Sequence, residues 1–140
     1  MTEYNSLYLD TAPIIYALES VEPYTQNVQD FLFSHFESDC TFISSAITNA
    51  EYLVFPYRNQ DFQKIMEFDR FKAILNIKMI PADEATTKRA AEIRAKYKGI
   101  KGMDSIHLAT AIAYGCDVFL TNDKQLKQVQ EIPVLLVDEL

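Results

Sequence analysis

Residues 6–16 read S-L-Y-L-D-T-A-P-I-I-Y. The first five, S-L-Y-L-D, form a short apolar strand pattern that closes on Asp10. Pro13 then falls where a first helical turn tolerates it, because its missing N–H would find no partner there anyway. Ile14, Ile15 and Leu18 carry the helix forward, and it ends before Pro23. A strand thus hands over to a helix with a carboxylate at the joint.

The same alternation runs outward through the chain. A second helix carries Val28, Phe31, Leu32 and Phe36, and T-F-I-S-S (41–45) is a second strand. Thr48 to about Phe55 reads as a short helix stopped near Pro56. A further helix runs from about Asp61 to Ile74, with Ile65, Phe68 and Leu75 at helical spacing. I-K-M-I (77–80) is a third strand, broken by Pro81. Asp83 or Thr86 starts a helix through Ile93 and Tyr97 that Gly99 ends. Met103 or Asp104 opens a helix through Ile106, Ala109, Thr110 and Ala113, ended by Gly115. D-V-F-L-T (117–121) is a fourth strand, K-Q-L-K-Q-V (124–129) a short helix and P-V-L-L-V (133–137) a last strand. This order predicts an α/β chain with a mostly parallel sheet of four to five strands. Residues 1–140 contain no repeat, low-complexity tract or linker, so one domain is expected.

Composition excludes several classes. Apolar residues are 49% and charged residues 24% of the chain, the balance of a globular protein rather than a disordered one. No apolar run approaches the ~20 residues that span a bilayer, and M-T-E-Y-N-S is no signal peptide, so a cytoplasmic protein is expected. Cys40 and Cys116 lack CxxC partners, and His35 and His107 are far apart, which supports neither a disulfide framework nor zinc. Both thiols read as reduced and semi-buried, and His35 reads as surface. The net charge of −7 counts against a generic nucleic-acid binder. Yet Lys88, Arg89, Arg94, Lys96, Lys98 and Lys101 crowd the stretch before Asp104. They read as a solvated helix face or, beside a metal site, as contacts for a phosphate backbone.

Four acids sit at strand ends or helix starts: Asp10, Glu51, Asp104 and Asp123. Each has an ordinary use. Asp10 can cap the following helix, Thr48 and Glu51 have capping-box spacing, Asp104 can match the charge of a helix start, and Asp123 sits in T-N-D, a natural turn. Together they exceed what capping requires. In open α/β sheets, ligands bind beyond the carboxyl ends of the strands, and all four fall at that edge. Crowded carboxylates repel unless a cation holds them, and an all-oxygen cluster suits Mg²⁺ or Mn²⁺. Asp10 and Asp104 are expected as direct ligands, Glu51 through water and Asp123 least directly. Thr11, Ser44, Thr121 and Asn122 are candidates to orient the carboxylates. His107, one turn after Asp104, is read as a surface or packing residue and left out of the site.

The ordered set Y-L-D-T-A-P-I-I-Y, A-I-T-N-A-E-Y-L, D-S-I-H-L-A-T-A-I-A and V-F-L-T-N-D resembles the PIN-domain nucleases, and more narrowly the VapC-type toxins of bacterial toxin–antitoxin pairs. The likeness covers nearly the whole chain. It implies a three-layer α/β/α fold and a Mg²⁺- or Mn²⁺-dependent endoribonuclease. By position, it makes Asp10, Glu51, Asp104 and Asp123 the metal-binding and catalytic residues. It also implies a homodimer and a small VapB-like antitoxin that lays a helix in a groove beside the site, with an arginine reaching the acids. The negative charge favours such a basic partner segment. Phe31, Phe33, Phe36, Tyr52, Phe55 and Tyr57 cannot all share one helical face, so some meet solvent, another helix or such a partner, with Phe31 and Phe36 read first as core.

The sequence is also compatible with two other readings. One is a structure-specific DNA nuclease, since recognition of a 2′-OH leaves no short sequence mark. The other is a catalytically silent nucleic-acid-binding module, because Ala12 stands where many family members carry Asn or Ser. A flavodoxin-like phosphotransfer domain fits poorly, as only one acid follows the first strand.

Overall fold

A computed structural model describes residues 3–140. Its centre is a five-stranded sheet of β1 (Ser6–Leu9), β2 (Thr41–Ser45), β3 (Lys78–Ile80), β4 (Val118–Thr121) and β5 (Val134–Leu136), ordered β3-β2-β1-β4-β5. Every pairing is parallel. The chain builds outward from β1 through β2 to β3, then crosses back to lay β4 on the other side of β1. That reversal makes a crevice at the carboxyl ends of β1 and β4. Asp10 leaves β1 there, its backbone N–H still bonded to the Leu120 carbonyl at 3.0 Å.

Side chains alternate across the sheet with period two. Leu7, Leu9, Phe42, Val118 and Leu120 face one core with Ile14 of α1 (Thr11–Leu18), Val28 and Leu32 of α2 (Tyr24–Glu37) and Phe68 of α5 (Phe62–Ile74). Tyr8, Ile43 and Phe119 face the other core with Ile93 of α6 (Glu84–Lys96) and Leu108 of α7 (Gly102–Ala113). Strands buried on both faces explain the nearly unbroken apolar runs in the sequence. The result is the expected α/β sandwich of helices around a parallel sheet, with all five strands parallel.

Several boundaries differ from the sequence reading. The helix after β2 is two pieces, α3 (Ile47–Tyr52) and α4 (Val54–Arg58). Pro56 lies in the first turn of α4, where proline is tolerated, instead of stopping the helix. Thr48 and Glu51 form no capping box, because the cap position is Ala46 and carries no side-chain bond. α6 ends at Lys96, and Gly99, at φ +81°, serves the loop beyond it. Gly115 (φ +63°) does stop α7: its N–H bonds the Ile112 carbonyl and the Cys116 N–H bonds that of Ala111, the paired bonds of a Schellman cap. α7 starts at Gly102, so Asp104 lies inside its first turn. The last short helix is a 3-10 turn, Lys124–Gln128. Cys40 and Cys116 are unpaired and buried.

Candidate active site

A cleft of about 920 Å³ opens at the carboxyl edge of the sheet, over the β1–β4 crevice. Asp10, Glu51, Asp104 and Asp123 all line it, delivered by the end of β1, α3, the first turn of α7 and the turn after β4. Ala12, Tyr16, Lys101 and Lys124 share its walls.

Each acid is held differently. Asp10 is buried and caps α1, its Oδ1 accepting the Thr11 N–H at 2.8 Å, while Oδ2 accepts the Thr121 hydroxyl at 2.7 Å. Burial pushes its carboxyl above the usual range, although His107, Thr121 and Thr11 pull the other way. Glu51 Oε1 accepts from the Thr11 hydroxyl at 2.8 Å and from Nε2 of His107 at 2.7 Å. Burial raises its pKa, but those two donors outweigh it and hold the carboxyl low. Asp123 Oδ1 accepts the Gln125 N–H at 2.9 Å and caps the 3-10 turn. Asp104 is half-buried, and no hydrogen bond to its carboxylate exists among the described residues. Burial raises its pKa to about 6, with the charges of Asp10 and Asp123 adding to the rise.

The capping readings of Asp10 and Asp123 therefore hold alongside a shared cleft. A carboxylate oxygen has two lone pairs, so one backbone bond leaves acceptor capacity. Of the four candidate orienting groups, Thr11 and Thr121 do bond acids. Ser44 instead bonds the Leu9 carbonyl and Thr48, and Asn122 bonds the Tyr16 hydroxyl.

Among the described residues, no three His, Cys, Asp or Glu side chains are drawn close enough to grip a metal as they stand. The donor chemistry nevertheless fits a hard divalent cation. All four groups offer oxygen, Asp104 is unbonded, and burial first, then the charges of Asp10 and Asp123, disfavour its ionised form, a penalty a cation would relieve.

Of the two histidines, His35 departs from its surface reading, and His107 takes the packing alternative rather than the surface one. His107 is fully buried, with Nε2 on Glu51 and Nδ1 2.6 Å from the Tyr8 hydroxyl. Its place one turn after Asp104 was the available signal. His35 is buried too: Nδ1 bonds the Phe31 carbonyl at 2.8 Å, and its ring stacks on Tyr4. Val28, Leu32 and His35 share the inner face of α2 at helical spacing. Phe36, read as core, is exposed on the other side.

The basic stretch divides. Lys88, Arg89 and Lys96 pair with Glu84, Glu92 and Glu131. Lys101 and Lys124 border the acids with no ion pair among the described residues.

Three solved structures share this fold. A VapBC2 complex from Rickettsia felis, bound to a DNA fragment from its promoter, is 18% identical at a TM-score of 0.77, over 94% of this chain and 98% of that one. A toxin–antitoxin complex from Klebsiella pneumoniae is 22% identical at 0.66, over 96% and 99%. FitAB bound to an IR36 DNA fragment is 23% identical at 0.71, over 94% of both chains. No curated protein matches the sequence. The PIN domain family matches residues 7–132, which takes in β2, β3, β4, nearly all of β1 and all four acids, and the chain belongs to that family, whose members are generally nucleases.

Proposed function

We propose that the protein is a Mg²⁺- or Mn²⁺-dependent endoribonuclease and the toxin of a type II toxin–antitoxin pair. The observation that carries this is the single cleft shared by Asp10, Glu51, Asp104 and Asp123. Asp104 and Asp10 are the direct ligands, and Glu51 and Asp123 complete the set. A divalent ion bound there would supply an acidified water and charge neutralisation at the phosphate. Thr11 and Thr121 hold Glu51 and Asp10 in place. Lys101 and Lys124 meet the phosphates on either side of the cut, which lets an acidic chain hold a polyanion locally.

The similar solved structures, two of them toxin–antitoxin complexes by family or description, support an antitoxin partner. So does an apolar groove of about 420 Å³ lined by Ala17, Leu32, Phe33, Phe71, Ile74 and Leu75. Exposed Phe55, Phe62 and Met66 offer further surface for the partner helix or for a second copy. No helix among the described residues is long and apolar enough to cross a membrane, which is compatible with a cytoplasmic site of action.

Incubation with matched RNA and DNA oligonucleotides in Mg²⁺ tests the reading. Cleavage of RNA with DNA spared is the expected result. Cleavage of DNA alone would replace it with the DNA-nuclease reading, and cleavage of neither by metal-loaded protein would leave a silent binding module.

A further inference from the structure

Behind the cleft a line of hydrogen bonds runs from β1 through α7 to α3. The Tyr8 hydroxyl lies 2.6 Å from Nδ1 of His107, and Nε2 of that ring lies 2.7 Å from Oε1 of Glu51. A carboxylate oxygen only accepts, so Nε2 carries a proton and donates it. In the neutral ring Nδ1 is then an acceptor, and the Tyr8 hydroxyl is its donor. Burial holds that hydroxyl well above its usual pKa, so it keeps its proton.

Packing alone does not call for this arrangement. Tyr8 and His107 are both fully buried, and an apolar pair would fill the space without polar atoms to satisfy. A buried polar string is costly unless every member is partnered. Here every one is: among the described residues no buried side-chain N or O lacks a partner. The string also ends on a specific atom. Oε1 of Glu51 receives both His107 and the Thr11 hydroxyl, while Oε2 takes no hydrogen bond among the described residues.

We propose that His107 is a positioning residue for cation binding. It pins Oε1 of Glu51 to the wall of the cleft and reserves Oε2 for the divalent ion, with Tyr8 fixing the imidazole. This rests on the metal-dependent reading above and adds to it a residue that touches neither metal nor substrate.

Calorimetric titration of Mn²⁺ into the protein without RNA tests it, alongside thermal melts of each variant. His107→Leu is expected to weaken Mn²⁺ binding ~10–100-fold, the usual cost of losing a group that orients a ligand. His107→Gln retains an amide N–H that reaches Glu51 and is expected to recover most of the affinity. Tyr8→Phe is expected to lose about threefold or more, in keeping with one orienting hydrogen bond. A merely structural role would lower melting temperatures without this graded order in Mn²⁺ affinity. Wild-type affinity in folded His107→Leu would overturn the proposal. Should that variant not fold, Tyr8→Phe decides: weaker binding supports the proposal and unchanged binding overturns it. Absence of Mn²⁺ binding by the wild type would instead sink the metal-dependent reading, and this inference with it.

Discussion

Asp104 concentrates the tension of the site in one side chain. Its folded pKa of about 6 exceeds the ordinary carboxylate value, so the folded state binds this proton more tightly than the unfolded state. Stability from this group is therefore full below about pH 4 and is lost as pH rises through 6. Solvent screening of a half-exposed group, and the ~0.3–1 kcal/mol that a negative charge gains in a first helical turn, reduce the net penalty to about 1 kcal/mol at neutral pH. Asp104→Asn in chelator should accordingly be about 1 kcal/mol more stable than wild type at pH 7.5, with the gap closing by pH 4, as denaturant melts across pH would show. The same variant should lose RNA cleavage by ~100-fold or more, as removal of a direct ligand requires. Much of this was legible in the sequence, because carboxylates at strand ends mark a sheet edge whatever their distance along the chain. Hydrogen-bond partners were not. Thr11 and Thr121 could be named from proximity to acids, but Ser44 and Asn122 looked equivalent and bond elsewhere. The Glu51 bond of His107 was not legible either, because a lone histidine on a helix is ambiguous until the opposite strand supplies Tyr8.

Among the helices of eight or more residues, α5 alone buries a single side chain, that of Phe68. That ring packs 4.5 Å from Tyr52 of α3, the helix that also carries Glu51, and lies beneath the Lys72 ammonium at 4.3 Å. Phe68→Ala should cost about 3–5 kcal/mol in a urea melt. A loss under about 1 kcal/mol would mean that α5 does not depend on this contact. The strands and long helices were readable because their periods are set by burial on two faces of the sheet. Helix ends were less so. Pro56 tolerates a first turn as well as it terminates a helix, and only the break at Leu53 decides between them. The 3-10 turn after β4 carries the same apolar Leu126 that an α-helix would, so its tighter winding leaves no mark in the pattern.

At the scale of the whole molecule, an acidic chain is proposed to bind an acidic polymer, which places the burden on local charge. Replacing Lys101 and Lys124 together by Gln should raise the KM for single-stranded RNA several-fold and leave kcat unchanged. The slope of log affinity against log salt should become shallower by about 1.4, as expected for two lost phosphate contacts on a single strand. Replacing the ion-paired Lys88 and Arg89 in the same way should change neither. On the proposed reading, acids from four distant segments gather divalent metal at one site, and RNA is cut there. The most direct test is cleavage of a single-stranded RNA by exhaustively chelated protein, followed by restoration of Mg²⁺ or Mn²⁺. Cleavage is expected to fall to background and return with the added ion; cleavage that continues undiminished after chelation would contradict metal dependence.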